Sequence, residues 1–284
     1  MKSDIGIISS LGPTRTGTLF YNLLAVDSKI YVAKFDSTSG QLSSLPMQPI
    51  QQFKGFNASP EWSSDGRYLA YASRRDVPAP INVTRSVTPI LSMATGQVVR
   101  ELHPSVTYGG IGRWSPDGRQ FIARGVDAKG RSGIVAVDAT DGSTTLVILS
   151  ETCTGIPFWA TDGKSFFCYR FTERQIAQVD VAAGTILRTF PADNQGFAAS
   201  PEGRHVVYGT LEGDQTVLKL LILASGETRD ILRLPSASSQ IRATTVDWTP
   251  DNSAVVLYGR LNGDEAMWLV PIDGRAPHKI NVGV

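Results

Sequence analysis

Cysteine and histidine are scarce in this chain of 284 residues, two and three respectively, and neither sign of charge is in surplus, with 27 Lys and Arg against 26 Asp and Glu. The missing basic excess argues against nucleic-acid binding, where neutralised phosphates supply much of the affinity. Long apolar runs are missing as well. Nothing approaches the roughly 18 residues that cross a bilayer as a helix, so direct membrane insertion is not expected. The N-terminus, with Lys2 and only the short run Ile5 to Ile8, has no secretory leader pattern. Two cysteines are too few for a disulfide framework or a metal-ligand spacing. If residues 155–159 and 166–171 are the arms of one hairpin, Cys168 lies opposite about Pro157. Cys153 is then offset by roughly four residues, or ~13 Å at strand rise, so both are read as ordinary small apolar residues.

What is abundant is turn chemistry. There are 27 Gly and 16 Pro, with 5 Trp, 8 Tyr and 11 Phe to build a core, a balance that favours many short strands over long helices. Five stretches repeat one phrase: Pro60–Tyr71, Arg113–Ala123, Pro157–Phe167, Ala199–Tyr208 and Asp247–Leu257. In each, a first strand ends at or near an aromatic, Pro-Asp-Gly or a relative makes the turn, and a β-branched or aromatic run returns. A second landmark, an alternating strand that ends in a glycine turn, recurs six times, at Gly40, Gly96, Gly142, Gly184, Gly226 and Gly274. One unit is therefore four strands in about 40–55 residues, the size of a propeller blade. The expectation is an all-β, six-bladed β-propeller of four-stranded antiparallel blades in one domain, 1–284. The blades fall at about 1–50, 51–104, 105–150, 151–192, 193–236 and 237–284. The first has a degenerate hairpin at Gly12–Gly17 and Thr18–Leu24.

The Trp-Ser-Pro-Asp-Gly phrase at 114–118, with variants at 62–66, 159–163 and 248–252, resembles the repeats of TolB-like six-bladed β-propellers over essentially the whole length. That resemblance implies a bacterial, periplasmic or otherwise extracytoplasmic protein-binding propeller. The same repeats occur in the gating propellers of prolyl-oligopeptidase-type enzymes and in bacterial sensor domains, so fold does not select among these. TolB-like proteins generally add an N-terminal α/β domain for which this chain has no room. Their partner lipoprotein Pal is for that reason not carried over.

The repeat residues read as scaffold. Trp62, Trp114, Trp159 and Trp248 are expected to fill the spaces between blades, with Ala199 underpacking the fourth repeat. Asp65, Asp117, Asp162 and Asp251 are expected to accept hydrogen bonds from turn amides. Enzyme signatures are absent: no Gly-x-Ser-x-Gly, His-Glu-x-x-His, Walker loop or dinucleotide fingerprint is present. His103, His205 and His278 fall at unrelated places in their repeats and do not predict a metal. No catalytic residue, metal or cofactor is therefore expected.

Binding is better supported, because a propeller offers an axial tunnel and a loop face. The residue just before the aromatic position lies on each inner strand: Glu61, Arg113, Phe158, Ala198 and Asp247. The charged ones, Glu61, Arg113 and Asp247, are the ligand-binding candidates of a polar tunnel. Their alternative role is a mutual structural ion-pair network. The long link after Ser73 carries Arg74, Arg75 and Arg85 with Pro78 and Pro80, candidates for an acidic or extended peptide. Ring closure stays open in two ways: 4–9 is either the inner strand of the first blade or an addition to the last. The function expected is a non-catalytic, monomeric protein-interaction or ligand-sensing propeller. Its alternative is the accessory gate of a prolyl-oligopeptidase-type hydrolase whose catalytic part lies outside this chain. A central-metal enzyme resembling six-bladed lactonases is a third reading, in fold only.

Overall fold

The tight turn that follows each inner strand is the local unit from which the chain is built. Ser63 Oγ donates to Asp65 Oδ1 at 2.6 Å, and the amides of Arg67 and Tyr68 donate to Asp65 Oδ1 and Ser63 Oγ at 3.0 Å each. Ser115 and Asp117 repeat this, at 2.7 Å between the side chains, and Thr249 with Asp251 repeats it again at 2.6 Å. The turns need one left-handed residue, which is Gly66, Gly118, Gly163 or Gly203, and in the last repeat Asn252 with φ 59°. Asp162 likewise accepts from the amides of Lys164 and Ser165. The turn role read from the sequence for these four aspartates is what the structure shows.

The computed structural model describes residues 7–13, 19–24, 30, 32, 35–36, 41–42, 56–74, 86–103, 107–108, 112–127, 129–192 and 197–280. They form five four-stranded antiparallel blades in which each strand pairs with the next in sequence. The 56–102 blade is Phe56–Trp62, Tyr68–Arg74, Ser86–Ser92 and Val98–Leu102. The 113–149 blade is Arg113–Trp114, Gln120–Val126, Ser132–Asp138 and Thr144–Leu149, with Thr107–Tyr108 pairing the far end of its second strand. Thr154–Trp159, Ser165–Arg170, Gln175–Asp180 and Ile186–Pro191 make the 154–191 blade. Phe197–Ala199, His205–Glu212, Gln215–Ile222 and Thr228–Pro235 make the 197–235 blade. The 240–280 blade is Gln240–Trp248, Ala254–Leu261, Asp264–Pro271 and His278–Ile280.

Among the described residues there are five blades, not the six expected. The stretch assigned to a further blade gives two separate hairpins, Ile7–Pro13 with Leu19–Leu24 and Phe35–Asp36 with Gln41–Leu42, and no described pairing joins them into one sheet. Counting landmarks finds hairpins, whereas a blade requires a second and third strand to pair, which the repeat phrase does not encode. The degenerate first hairpin is where it was expected. Ile30 and Val32 pack on Leu69, Tyr71 and Leu91 of the 56–102 blade. The last blade is completed by its own strand His278–Ile280, and Ile7–Pro13 pairs with Leu19–Leu24.

Middle strands are buried nearly end to end, as at Ser165–Tyr169 and Ile176–Val179, because neighbouring blades cover both of their faces. Ile122, Ile134 and Ile148 meet Trp159, Phe166 and Val179 across one such junction. Two tryptophans also bond across junctions: Trp159 Nε1 donates to the Arg113 carbonyl at 2.8 Å, and Trp248 Nε1 to the Ala198 carbonyl at 2.9 Å. Trp62 departs from the expected inter-blade burial, at 42% exposure against 7% for Trp248. A second correction concerns the cysteines. Cys153 and Cys168 form a disulfide with Cα atoms 5.8 Å apart, within the normal span. The expected offset vanishes because the inner strand is bulged: Thr154 faces Tyr169 and Phe158 faces Phe167, so Pro157 is not the register partner of Cys168.

Trp248→Phe, which removes the indole N–H bond to the Ala198 carbonyl, is expected to lose about 0.5–1.5 kcal/mol in urea denaturation. Trp62→Phe is expected to change stability by less than about 0.5 kcal/mol. Equal losses would show that the two tryptophans are equivalent.

Candidate functional site

Every charged inner-strand residue named from the sequence comes to one place. Arg113 Nη1 donates to Glu61 Oε2 at 3.1 Å and to Asp247 Oδ2 at 2.7 Å, joining the inner strands of three blades. The guanidinium lies 4.6 Å over the ring of Phe158, so a fourth inner strand also contributes. Phe158 in turn stands 5.3 Å from the ring of Phe197, next to Ala198. The position before the aromatic thus does the same thing in four repeats: it turns its side chain toward the shared centre. Phe158 shows this pattern but carries no charge, which is why charge alone does not single it out.

Two backbone features aim these groups. At Gly112 a side chain would collide with the carbonyl of Ile122, so only glycine lets the chain press onto the second strand immediately before Arg113. Trp159 Nε1 then holds the Arg113 carbonyl. Asp247 Oδ1 accepts the amide of its neighbour Trp248 at 2.9 Å, which leaves Oδ2 for Arg113.

The site is part dry and part wet. The side chains of Glu61 and Arg113 are 20% and 24% exposed, whereas that of Asp247 is 57% exposed. Burial raises the Glu61 carboxyl to about 7 from its ordinary 4.5, against the pull of Arg113 and with help from the negative Asp247. Burial works against the charge of Arg113 too, but Asp247 and Glu61 outweigh it and hold the guanidinium above its ordinary value. One cation faces two carboxylates, and the surplus negative charge is relieved by a proton on Glu61.

Other candidates do not gather. His103 pairs with Glu101 at 3.3 Å, His205 pairs with Glu202 at 3.0 Å and stacks on Trp248, and His278 lies on the last strand. Among the described residues no group of three or more His, Cys, Asp or Glu side chains is placed to hold a metal ion. Arg74 ends the strand Tyr68–Arg74, and Arg75 and Arg85, with the link between them, lie outside the described residues.

Comparison with known proteins places the fold. The chain is similar to a putative TolB from Agrobacterium tumefaciens, with TM-score 0.61, 16% identity and 86% of each chain covered. It is similar to TolB from Acinetobacter baumannii, with TM-score 0.62 and 17% identity, over 87% of this chain and 61% of that one. An acylaminoacyl peptidase from Pyrococcus horikoshii gives TM-score 0.51 and 13% identity, over 75% of this chain and 38% of that enzyme. No sequence-family description matches the chain, and no curated protein matches it. The class defined is an all-β propeller, similar in fold to the propellers of these two TolB proteins.

The sign of the pH effect follows from Glu61. Between pH 4.5 and about 7 the folded chain holds a proton that the unfolded chain has released. Stability from this group is therefore greatest below 4.5 and falls as pH rises through 7. Glu61→Gln is expected to flatten that decline, by on the order of 1–3 kcal/mol, in denaturant titrations across this window. Arg113→Ala is expected to cost on the order of 2–4 kcal/mol at pH 8, less than for a fully buried pair, because Asp247 faces water. A pH profile unchanged by Glu61→Gln would remove Glu61 as the titrating group.

Proposed function

We propose that this chain is a non-catalytic recognition propeller, in which the axial cluster of Glu61, Arg113 and Asp247 contacts a ligand or the end of a bound polypeptide. The observation that carries this reading is the convergence of three charged side chains from three blades at a place still open to water. A purely structural network gains little from solvent access, since replacing buried ion pairs by apolar groups is often neutral or stabilising. The partner would be another protein or peptide, with Arg74, Arg75 and Arg85 as the candidate basic contacts for an acidic or extended segment. The fold likeness to the two bacterial TolB proteins is in keeping with this reading, to which we add the proposal of a periplasmic setting and a monomeric chain.

The second reading, an accessory propeller of a hydrolase, is favoured by the likeness to the acylaminoacyl peptidase, of which this chain matches little more than a third. In that case the axial cluster would control passage to a separate catalytic domain. The two readings differ in what Arg113 does, contact in one and gating in the other.

Affinity capture with the purified chain from an extract of its own organism, compared among wild type, Arg113→Ala, Asp247→Asn and the triple alanine variant of Arg74, Arg75 and Arg85, tests the first reading. A partner held by wild type is expected to be lost at least tenfold with Arg113→Ala and to lose salt-sensitive affinity in the triple variant. Capture equal in all four proteins would end the axial and loop assignments together.

A further inference from the structure

The axial site depends on one side chain that charge does not reveal, Phe158, and Phe158 lies on the one inner strand anchored by a covalent bond. Resting on the axial reading above, we propose that the Cys153–Cys168 disulfide is a positioning element for that site. It holds the bulged inner strand that carries Phe158 under the Arg113 guanidinium, so that the site is assembled in the oxidised chain.

Cys153 immediately precedes the inner strand Thr154–Trp159, and Cys168 is on the strand Ser165–Arg170 beside it. Between them the ladder is irregular. Thr154 lies opposite Tyr169 and Phe158 opposite Phe167, so over that stretch the inner strand holds two residues more than its partner. The bulge leaves residues 155–157 without register partners, and a one-residue slip would turn Phe158 away from the centre. Two fixed points prevent the slip. At one end the disulfide ties the strand to its neighbour, and at the other Trp159 Nε1 is bonded to the Arg113 carbonyl. Phe158 lies between these anchors, with its ring 4.6 Å from the Arg113 guanidinium carbon.

Burial shows what kind of disulfide this is. Cys153 and Cys168 are 1% and 0% exposed, in a cluster with Ile122, Ile134 and Ile148 of the adjoining blade. A dissolved thiol cannot reach the sulfurs without unfolding the junction, so the bond is a fixed part of the native protein and not a switch. It is made during folding: the two thiols lose two electrons and two protons to a disulfide-donating oxidant, which is itself reduced to the dithiol. Such donors act in oxidising compartments. The bond therefore assigns maturation of this chain to an extracytoplasmic space on grounds separate from the fold likeness.

Protein purified without reductant, unfolded in guanidinium and treated with iodoacetamide, is expected to take up no adduct, and two after prior reduction. Two adducts without reduction overturn the proposal. Positioning is read from the Arg113 Nε–H proton, whose NMR shift reports the ring current of Phe158. The Cys153→Ala/Cys168→Ala variant is expected to lose that displaced signal. Phe158→Leu, which keeps the disulfide and guards against a double variant that does not fold, is expected to lose it too. A displaced signal retained in either variant overturns the positioning role. If Arg113→Ala leaves partner capture intact, the axial reading fails while the disulfide and the Arg113 signal stand. If capture is lost but the signal does not move in the cysteine variant, the positioning proposal alone fails.

Discussion

The bond between one blade's inner strand and the next is the interaction on which the rest of this molecule depends. A four-stranded blade is too small to bury its own faces, so each must be covered by a neighbour, and the angle between neighbours is set where the strands crowd together at the centre. Trp159 reaching to the Arg113 carbonyl, and Trp248 reaching to the Ala198 carbonyl, are the clearest examples. Each bond satisfies an indole N–H that burial would otherwise strand, and each holds the residue before the aromatic position of the preceding blade. The candidate site is thus a by-product of blade packing: the residues that line it sit one position before the residues that hold the blades together.

This coupling explains why the site mixes structure and accessibility. Arg113 is held by its carbonyl, by the close approach at Gly112, by the Phe158 ring and by two carboxylates. Its position is therefore overdetermined, as a recognition group on a rigid scaffold needs to be. Asp247, by contrast, remains more than half open to water. The imbalance of two acids around one base is not an accident of packing alone. Burial makes the second negative charge costly, and Glu61 answers by keeping its proton into the neutral range.

The cysteine pair ties compartment to architecture. A small apolar reading suited both residues by composition, and burial agrees with it, yet the strand bulge brings them within bonding range. The same irregularity aims Phe158. A disulfide beside this bulged inner strand places a covalent constraint where its ladder is interrupted.

Much was legible in the residues themselves. The Ser-x-Asp-Gly turns follow from side-chain chemistry that acts within five residues, so Ser63 with Asp65 and Ser115 with Asp117 could be assigned without tertiary information. The inner-strand position of Glu61, Arg113 and Asp247 was likewise legible, because period-two alternation and the repeat phrase act over short range. What the tertiary structure decided was long range. The sequence cannot show that residues 61, 113 and 247 meet at one nitrogen, since that depends on the curvature of the whole ring. Nor can it show that Trp62 is exposed where Trp248 is buried, since the two phrases are nearly alike. The blade count and the disulfide failed for a related reason: each depends on pairing between strands, and a local phrase carries no information about register across a bulge or between separate hairpins.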